Sequence, residues 1–350
     1  MKLNGVTVTI GFELSSMNRD QSIGNITTLK KLSIGNEIYT MISRPWMTNK
    51  FINTLVARFP DRWKMAPLTV ANKVLQHELL RPGKEIEVVG DIIRYAELDA
   101  FGYMSTAEKK GSGKTGISVT LTRKAPVSAT KAISLYSWKG DTGFYANHAM
   151  VSRYNKTLPK EPATPDPYSK EESYSLFKFS VNIDLRRLGE DTWYLNKDII
   201  GRLSTDNFPD IETQGGKVIL NKEKNLLEFK LNPEEKVKRV LDILEVLKDG
   251  LIAHGAGEDY GIVPLFLIAA PVKIPVPIFH HFVRTNPKTE RIPAEEIRNV
   301  INNNGYIIKE NGGENPVVFV QNLRKDILED GELSYYDYEE FKNYIKTHIE

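Results

Sequence analysis

Two stretches of strict period-two alternation constrain the architecture most. Residues 6 to 14 alternate Val, Val, Ile, Phe and Leu with Thr, Thr, Gly and Glu, and residues 177 to 185 alternate Phe, Phe, Val, Ile and Leu with Lys, Ser, Asn and Asp. A period of two sends successive side chains to opposite faces, so each stretch is a half-buried strand. Ile117 to Leu121 is a third candidate, and Val218 to Leu220 with Leu227 to Leu231 can close a hairpin across Asn221-Lys222-Glu223-Lys224-Asn225. Strands of this kind build a largely antiparallel sheet.

Two helices are signalled. The first starts at Ser43 as N-cap with Pro45 just inside, and it places Met47, Phe51 and Leu55 on one face with Asn49, Lys50 and Asn53 elsewhere. Its first turn can meet a phosphate. The second runs from about Pro233 to Gly250, with Asn232 as cap, Glu235 in the capping-box position, and Val237, Val240, Leu241, Leu244 and Leu247 facing inward. A sheet covered on one side by two helices and free on the other is an α+β arrangement of the ferredoxin or RRM kind, and an open sheet face suits single-stranded RNA.

At 350 residues the chain can hold one elaborate domain or two ordinary ones, and 41% hydrophobic with 26% charged residues is a globular composition. With no cysteine it has no disulfide, no thiolate metal site and no thiol nucleophile. The N-terminus has no signal-peptide pattern, and the most apolar run, Ile262 to Val272, is well short of the about 20 residues of a membrane helix. A cytoplasmic protein with no membrane contact is expected. His280-His281 are the only adjacent histidines, with no metal-ligand spacing around them, so neither a metal site nor a cofactor is expected.

Net charge is only +2, but residues 105 to 160 carry ten Lys or Arg against Glu108 and Asp141, and the last forty residues carry nine acids against four bases. The basic stretch attracts phosphate or is a solvated lysine-rich loop. Within it, Gly111-Ser112-Gly113-Lys114-Thr115 resembles the end of a P-loop and is not one: Glu108 stands where the first glycine belongs, no apolar strand precedes it, and Ile117 to Leu121 follows as a strand where a helix is required. Trp138-Lys139-Gly140-Asp141 with Phe144 and Tyr145 mixes rings and a cation, either as a stacking platform or as buried aromatics. His254-Gly255-Ala256-Gly257 follows the second helix, either as a loop whose amides approach a ligand or as a plain helix-terminating turn.

In order along the chain, Asn18-Arg19-Asp20, Gly24-Asn25 through Lys31, Ile42-Ser43, Leu98-Asp99-Ala100-Phe101-Gly102-Tyr103-Met104, Arg123 to Val127, Ala132-Ile133-Ser134-Leu135, and Phe177 through Asp184-Leu185-Arg186-Arg187-Leu188-Gly189 resemble the CRISPR-associated backbone subunit of type I Cascade complexes. This is the DevR-like autoregulator branch of the RAMP superfamily, subtype I-B. The resemblance implies a modified RRM palm with finger and thumb insertions: a first palm half at 1–90, an insertion with the basic loop and the proline-rich linker Pro159 to Pro167 at 91–172, a second palm half at 173–275, and an acidic C-terminal extension at 276–350.

It further implies that copies polymerise along one crRNA beside other Cascade subunits and present the guide to target DNA, with chemistry left to those subunits. By position, Asn18, Arg19, Asn25, Lys30, Lys31, Ser43, Arg44, Asn49 and Lys50 would contact the guide, together with His254 and Gly255. Lys109, Lys110, Lys114, Arg123, Lys124 and Lys139 would serve from the basic insertion. The chain departs from its relatives at Thr48 and Asn49, where a further base is common. Asp20 occupies a region where type III relatives carry a catalytic acid, but the branch is the non-cleaving one, which implies a structural Asp20. A metal-dependent endoribonuclease of the same superfamily and a stand-alone nucleic-acid-binding regulator are the alternatives.

Overall fold

The structure, a computed structural model, describes residues 3–349 apart from 16, 72, 110–116, 256–257, 311–312 and 330. The first alternation becomes strand β1 (Gly5–Ser15), in which Val6, Val8, Ile10, Phe12 and Leu14 are all buried. After it come β2 (Arg19–Ile23), β3 (Ile26–Leu29), β4 (Lys31–Ile34), β5 (Glu37–Ile42) and helix α1 (Arg44–Arg58). Farther on lie β6 (Val127–Ala129), β7 (Ala132–Ser137), β8 (Thr142–Tyr145), β9 (Tyr168–Glu171), β10 (Tyr174–Asp184) and helix α2 (Pro233–Asp249). The C-terminal part adds β11 (Leu251–Gly255), β12 (Glu258–Ile262), β13 (Phe266–Val272), β14 (Phe319–Asn322) and helix α3 (Tyr338–His348).

The two alternating strands pair directly, with Phe12 opposite Phe177 and Ile10 opposite Phe179, so both apolar sets share one face. They form the centre of an eight-stranded antiparallel sheet in the order β14-β13-β1-β10-β7-β5-β4, with β6 pairing the far end of β10. Helices α1 and α2 cover the apolar face with Met47, Phe51 and Leu55 and with Val240, Ile243, Leu244 and Leu247. The C-terminal segment does not trail as a polar tail: α3, held by an Asp337–Glu340 capping box, adds Phe341 and Ile345 to the same core.

The second face is closed rather than open. Thr7, Thr9 and Ser180 are fully buried, as are Leu176, Phe266, Ile268, Ala270 and Val272, beneath a C-terminal layer containing Ile278, Phe279, Val283, Ile292, Ile297 and Ile301. The reason lies in β13, whose seven residues are apolar in succession and all buried. A strand without alternation needs cover on both faces. Two of the polar residues trapped there satisfy each other, since Thr9 Oγ1 lies 2.7 Å from Ser180 Oγ, which in turn lies 3.0 Å from His280 Nδ1, while the Thr7 hydroxyl has no partner among the described residues.

The stretch 91–172 is not a single insertion, since β6 and β7 pair with β10 and β7 also with β5 inside the main sheet. Its remainder splits. Tyr103–Lys109 and Ile117–Arg123 form a hairpin next to a second core built on Trp193, Phe208, Leu227 and Phe229. β8 and β9 join β3 and β2 in a separate four-stranded sheet. The proline-rich run is pinned, with Asn155 bonding both the N–H and the C=O of Ala163. The expected hairpin appears as Gly216–Asn221 and Leu226–Leu231. Among the described residues no helix is long and apolar enough to cross a membrane.

Candidate functional site

At the end of β1 the chain doubles back through β2 to β5 and enters α1 next to where it left. Ser43 occupies the N-cap position in extended conformation, but its hydroxyl makes no capping bond. Asn18 Oδ1 acts there instead, accepting the Ser43 N–H at 2.8 Å. The first turn of α1 has no acid and has Pro45 in place, and Arg44 is exposed with no hydrogen bond or ion pair among the described residues. An uncompensated guanidinium thus stands at the positive end of a 15-residue helix, an arrangement that attracts anions.

Along the polar side of α1, Lys50 Nζ donates to the His254 carbonyl at 2.5 Å and lies 5.0 Å from the Trp46 ring centre. One turn on, Thr54 Oγ1 accepts the Ile252 N–H at 2.9 Å, which lays β11 along the helix. His254, 64% exposed by side chain, has Nδ1 3.8 Å from Asp259. The residue that turns the chain after α2 is Gly250 at φ +118°, where an added Cβ would lie 2.9 Å from the Ile262 carbonyl. Gly255 is a strand residue paired with Glu258. Asn18, Ser43, Arg44, Asn49, Lys50 and His254 therefore form one strip, with Asn49 exposed and bonded to Asn53.

Arg19 and Lys31 point into the protein. Lys31 Nζ sits 2.7 and 2.8 Å from the two Glu171 oxygens and 4.0 Å from the Trp138 ring centre, and Glu171 Oε2 also accepts the Leu29 N–H at 2.8 Å. Arg19 donates to the Glu171 carbonyl and pairs with Glu172 at 3.3 Å. These contacts fasten β9 to β2 and β4, so the two cations expected on the guide act first as internal ties. Lys30 pairs with Asp20 at 2.6 Å on the surface. Asn25, exposed in the β2–β3 turn, accepts the Ser169 N–H through its carbonyl at 3.0 Å.

The Trp138–Tyr145 segment divides between the two roles considered for it. Trp138 Nε1 donates to the Glu172 carbonyl at 3.0 Å and is part of the Lys31 cage. Lys139 and Phe144 are exposed. Tyr145 stacks on Tyr168 at 5.5 Å with Lys170 5.1 and 5.5 Å from the two rings. Tyr168 and Lys170 went unnoticed in the sequence because nothing in it pairs β8 with β9.

Arg123 lies at the opposite end of β10 and is buried. Its Nη2 donates to Asp99 Oδ1 at 2.7 Å, and its Nη1 to the Glu190 carbonyl and Asp191. A side chain so fully partnered cannot also hold a phosphate, which corrects the expectation for Arg123. Lys124 beside it is exposed. Lys109 ends its strand with a side chain outside the described residues, as are Lys110, Lys114 and the glycine-lysine loop. Among the described residues no three His, Asp or Glu are grouped to hold a metal ion.

Comparison with known proteins adds the following. A solved chain from a "CRISPR RNA-guided surveillance complex, pre-nicking" aligns at TM-score 0.52 and 11% identity over 99% of both chains. Another, from a "CRISPR RNA-guided surveillance complex", aligns at TM-score 0.41 and 13% identity over 81% of this chain and 76% of that one. At 11% identity the likeness is one of fold. No curated protein matches the sequence. Residues 6–292 match the family described as CRISPR-associated negative auto-regulator DevR/Csa2. The chain belongs to that CRISPR-associated family.

Proposed function

We propose that this protein is a non-catalytic crRNA-binding backbone subunit of a type I Cascade surveillance complex, acting in the cytoplasm. Copies run head-to-tail along the guide beside other subunits and present its bases to target DNA. The observation that carries this reading is Arg44 at the start of α1, without a partner among the described residues and in one strip with Asn18, Lys50 and His254. Contacts of this kind grip a backbone without reading sequence, leaving recognition to base pairing.

The topology supports an RRM-like palm. Taken as β1-α1-β7-β10-α2-β13, the core is a βαββαβ unit in which the fourth, first, third and second strands are neighbours. With the second sheet face closed, the helix strip is the surface that this reading gives to the RNA. A repeated, non-self-complementary contact gives an open filament, with length set by the RNA. Asp20 is a structural partner of Lys30 in this reading.

Expression with and without a CRISPR guide transcript, followed by extraction of bound nucleic acid and sizing of particle and RNA, tests it. A long particle with uniform, uncut guide RNA supports the scaffold. A nucleic-acid-free monomer or a sequence-selective dimer favours a regulator, and shortened target RNA on adding metal would promote Asp20 to catalyst.

A further inference from the structure

At the C-terminal end of β10 a polar cleft of about 550 Å³ opens, lined among others by Thr122, Lys124, Arg186, Arg187, Glu190 and Tyr194. The start of α1 lies level with the middle of β10, where Ile42 faces Ala132 and Ile133 faces Lys178, whereas the cleft lies past the last residues of that strand. The cations of the cleft differ in how far they are neutralised. Arg123 is held by Asp99 and Asp191, and Arg186 grips Asp184 through Nε and Nη2 at 2.9 Å each. Arg187 Nη2 donates to an uncharged acceptor, the Lys124 carbonyl, at 3.0 Å. The Lys124 ammonium has no acid partner among the described residues. Asp191 is taken up by Arg123, Tyr103 and Trp193, which leaves Glu190 as the exposed acid. Tyr194 is 76% exposed, beside these cations.

Two uncompensated cations and an exposed ring are the elements of a single-strand binding subsite: charge for the backbone, a ring face for a base. We infer that this cleft binds single-stranded nucleic acid, with Lys124 and Arg187 holding phosphates and Tyr194 stacking a base. The inference rests on the RNA-binding reading above and adds a second place of contact.

The test uses the full chain and a fluorescein-labelled oligouridylate, with anisotropy followed across a KCl series. The double variant K124A/R187A should bind about tenfold more weakly, with a log–log salt slope shallower by about 1.4, since each single-strand phosphate contact contributes about 0.7. Tyr194→Ala should weaken binding with the slope unchanged. A bromouridine-substituted oligonucleotide irradiated with the unaltered protein should crosslink at Tyr194, a readout independent of whether any variant folds. The inference fails if crosslinks avoid residues 186–194 and the double variant binds as the unaltered protein does while Arg44→Ala weakens binding, a result that leaves the α1 strip standing. An unaltered protein that binds no oligonucleotide overturns both.

Discussion

Arg239 Nη1 lies 2.7 Å from Asp99 Oδ2, an ion pair between residues 140 positions apart. The other Asp99 oxygen accepts Arg123 Nη2 at 2.7 Å and the Gly189 N–H at 2.9 Å, while Arg239 also donates to the Ile92 and Ile93 carbonyls at 2.7 Å each. Helix α2, packed on the main sheet, is thereby joined to the segment that leads into the second core. The Asp99 side chain is 0% exposed. Asp99→Ala would leave two buried guanidinium groups without their shared counter-charge, at a cost of about 3–5 kcal/mol. Urea denaturation should show that loss, and D99A/R239A together should cost less than the sum of the single changes.

Lys31→Ala should behave as a stability variant before it behaves as a binding variant. Glu171 is only 11% exposed by side chain and would keep the Leu29 N–H as partner while losing its ammonium. About 1–3 kcal/mol is expected, with a strongly non-additive double-mutant cycle between Lys31 and Glu171. Additive losses in melting experiments would show that the cage does not tie β9 to β4.

Much of the main sheet is legible because its central strands are half-buried and strictly alternating: 6–14 falls inside β1 and 177–185 matches β10 up to its last residue, Asp184, and Met47, Phe51 and Leu55 point inward as their spacing requires. The closed face was legible in principle from the unbroken apolar run of β13, which length alone separates from a membrane segment. The segment 19–42 is harder. Its short strands carry exposed residues on both sides, so no periodicity marks them, and their partners at 168–171 are remote in sequence. The same remoteness hides the site. Charge pattern picks out Arg19, Lys31 and Arg123, but the acids that engage them, Glu172, Glu171 and Asp99, come from elsewhere in the fold.

Lys178 and His280 give the protein a pH profile with two steps in the same direction. Burial, reinforced by Arg284, pushes the Lys178 ammonium down to about 8, and its hydrogen bond goes to the His280 carbonyl at 2.7 Å. Burial, with Lys178 and His281, takes His280 down to about 4. In both cases the unfolded chain holds the proton more tightly than the native one. Stability therefore rises with pH between about 8 and 10.5 through Lys178, and falls with acidification from 6.5 toward about 4 through His280. Lys178→Met should stabilise by about 2 kcal/mol at neutral pH, after allowance for solvent screening, with the gain gone by the upper end of that window. Urea midpoints across the pH range check this; a gain independent of alkaline pH would mean that the charge is not what the site disfavours.

Arg44→Ala separates binding from stability most cleanly. The side chain is exposed and has no partner among the described residues, so its removal should leave the melting temperature unchanged. If it contacts one phosphate of a single-stranded guide, binding should weaken equally for unrelated sequences and the salt slope should become shallower by about 0.7. Lys50→Ala differs because it also removes the 2.5 Å bond to the His254 carbonyl and loosens β11 from the helix, so both affinity and melting temperature should fall. Anisotropy titrations beside thermal melts read the two quantities independently. A sequence-dependent loss on removing Arg44 would mean that it touches bases, and an unchanged slope would move the guide away from the start of α1.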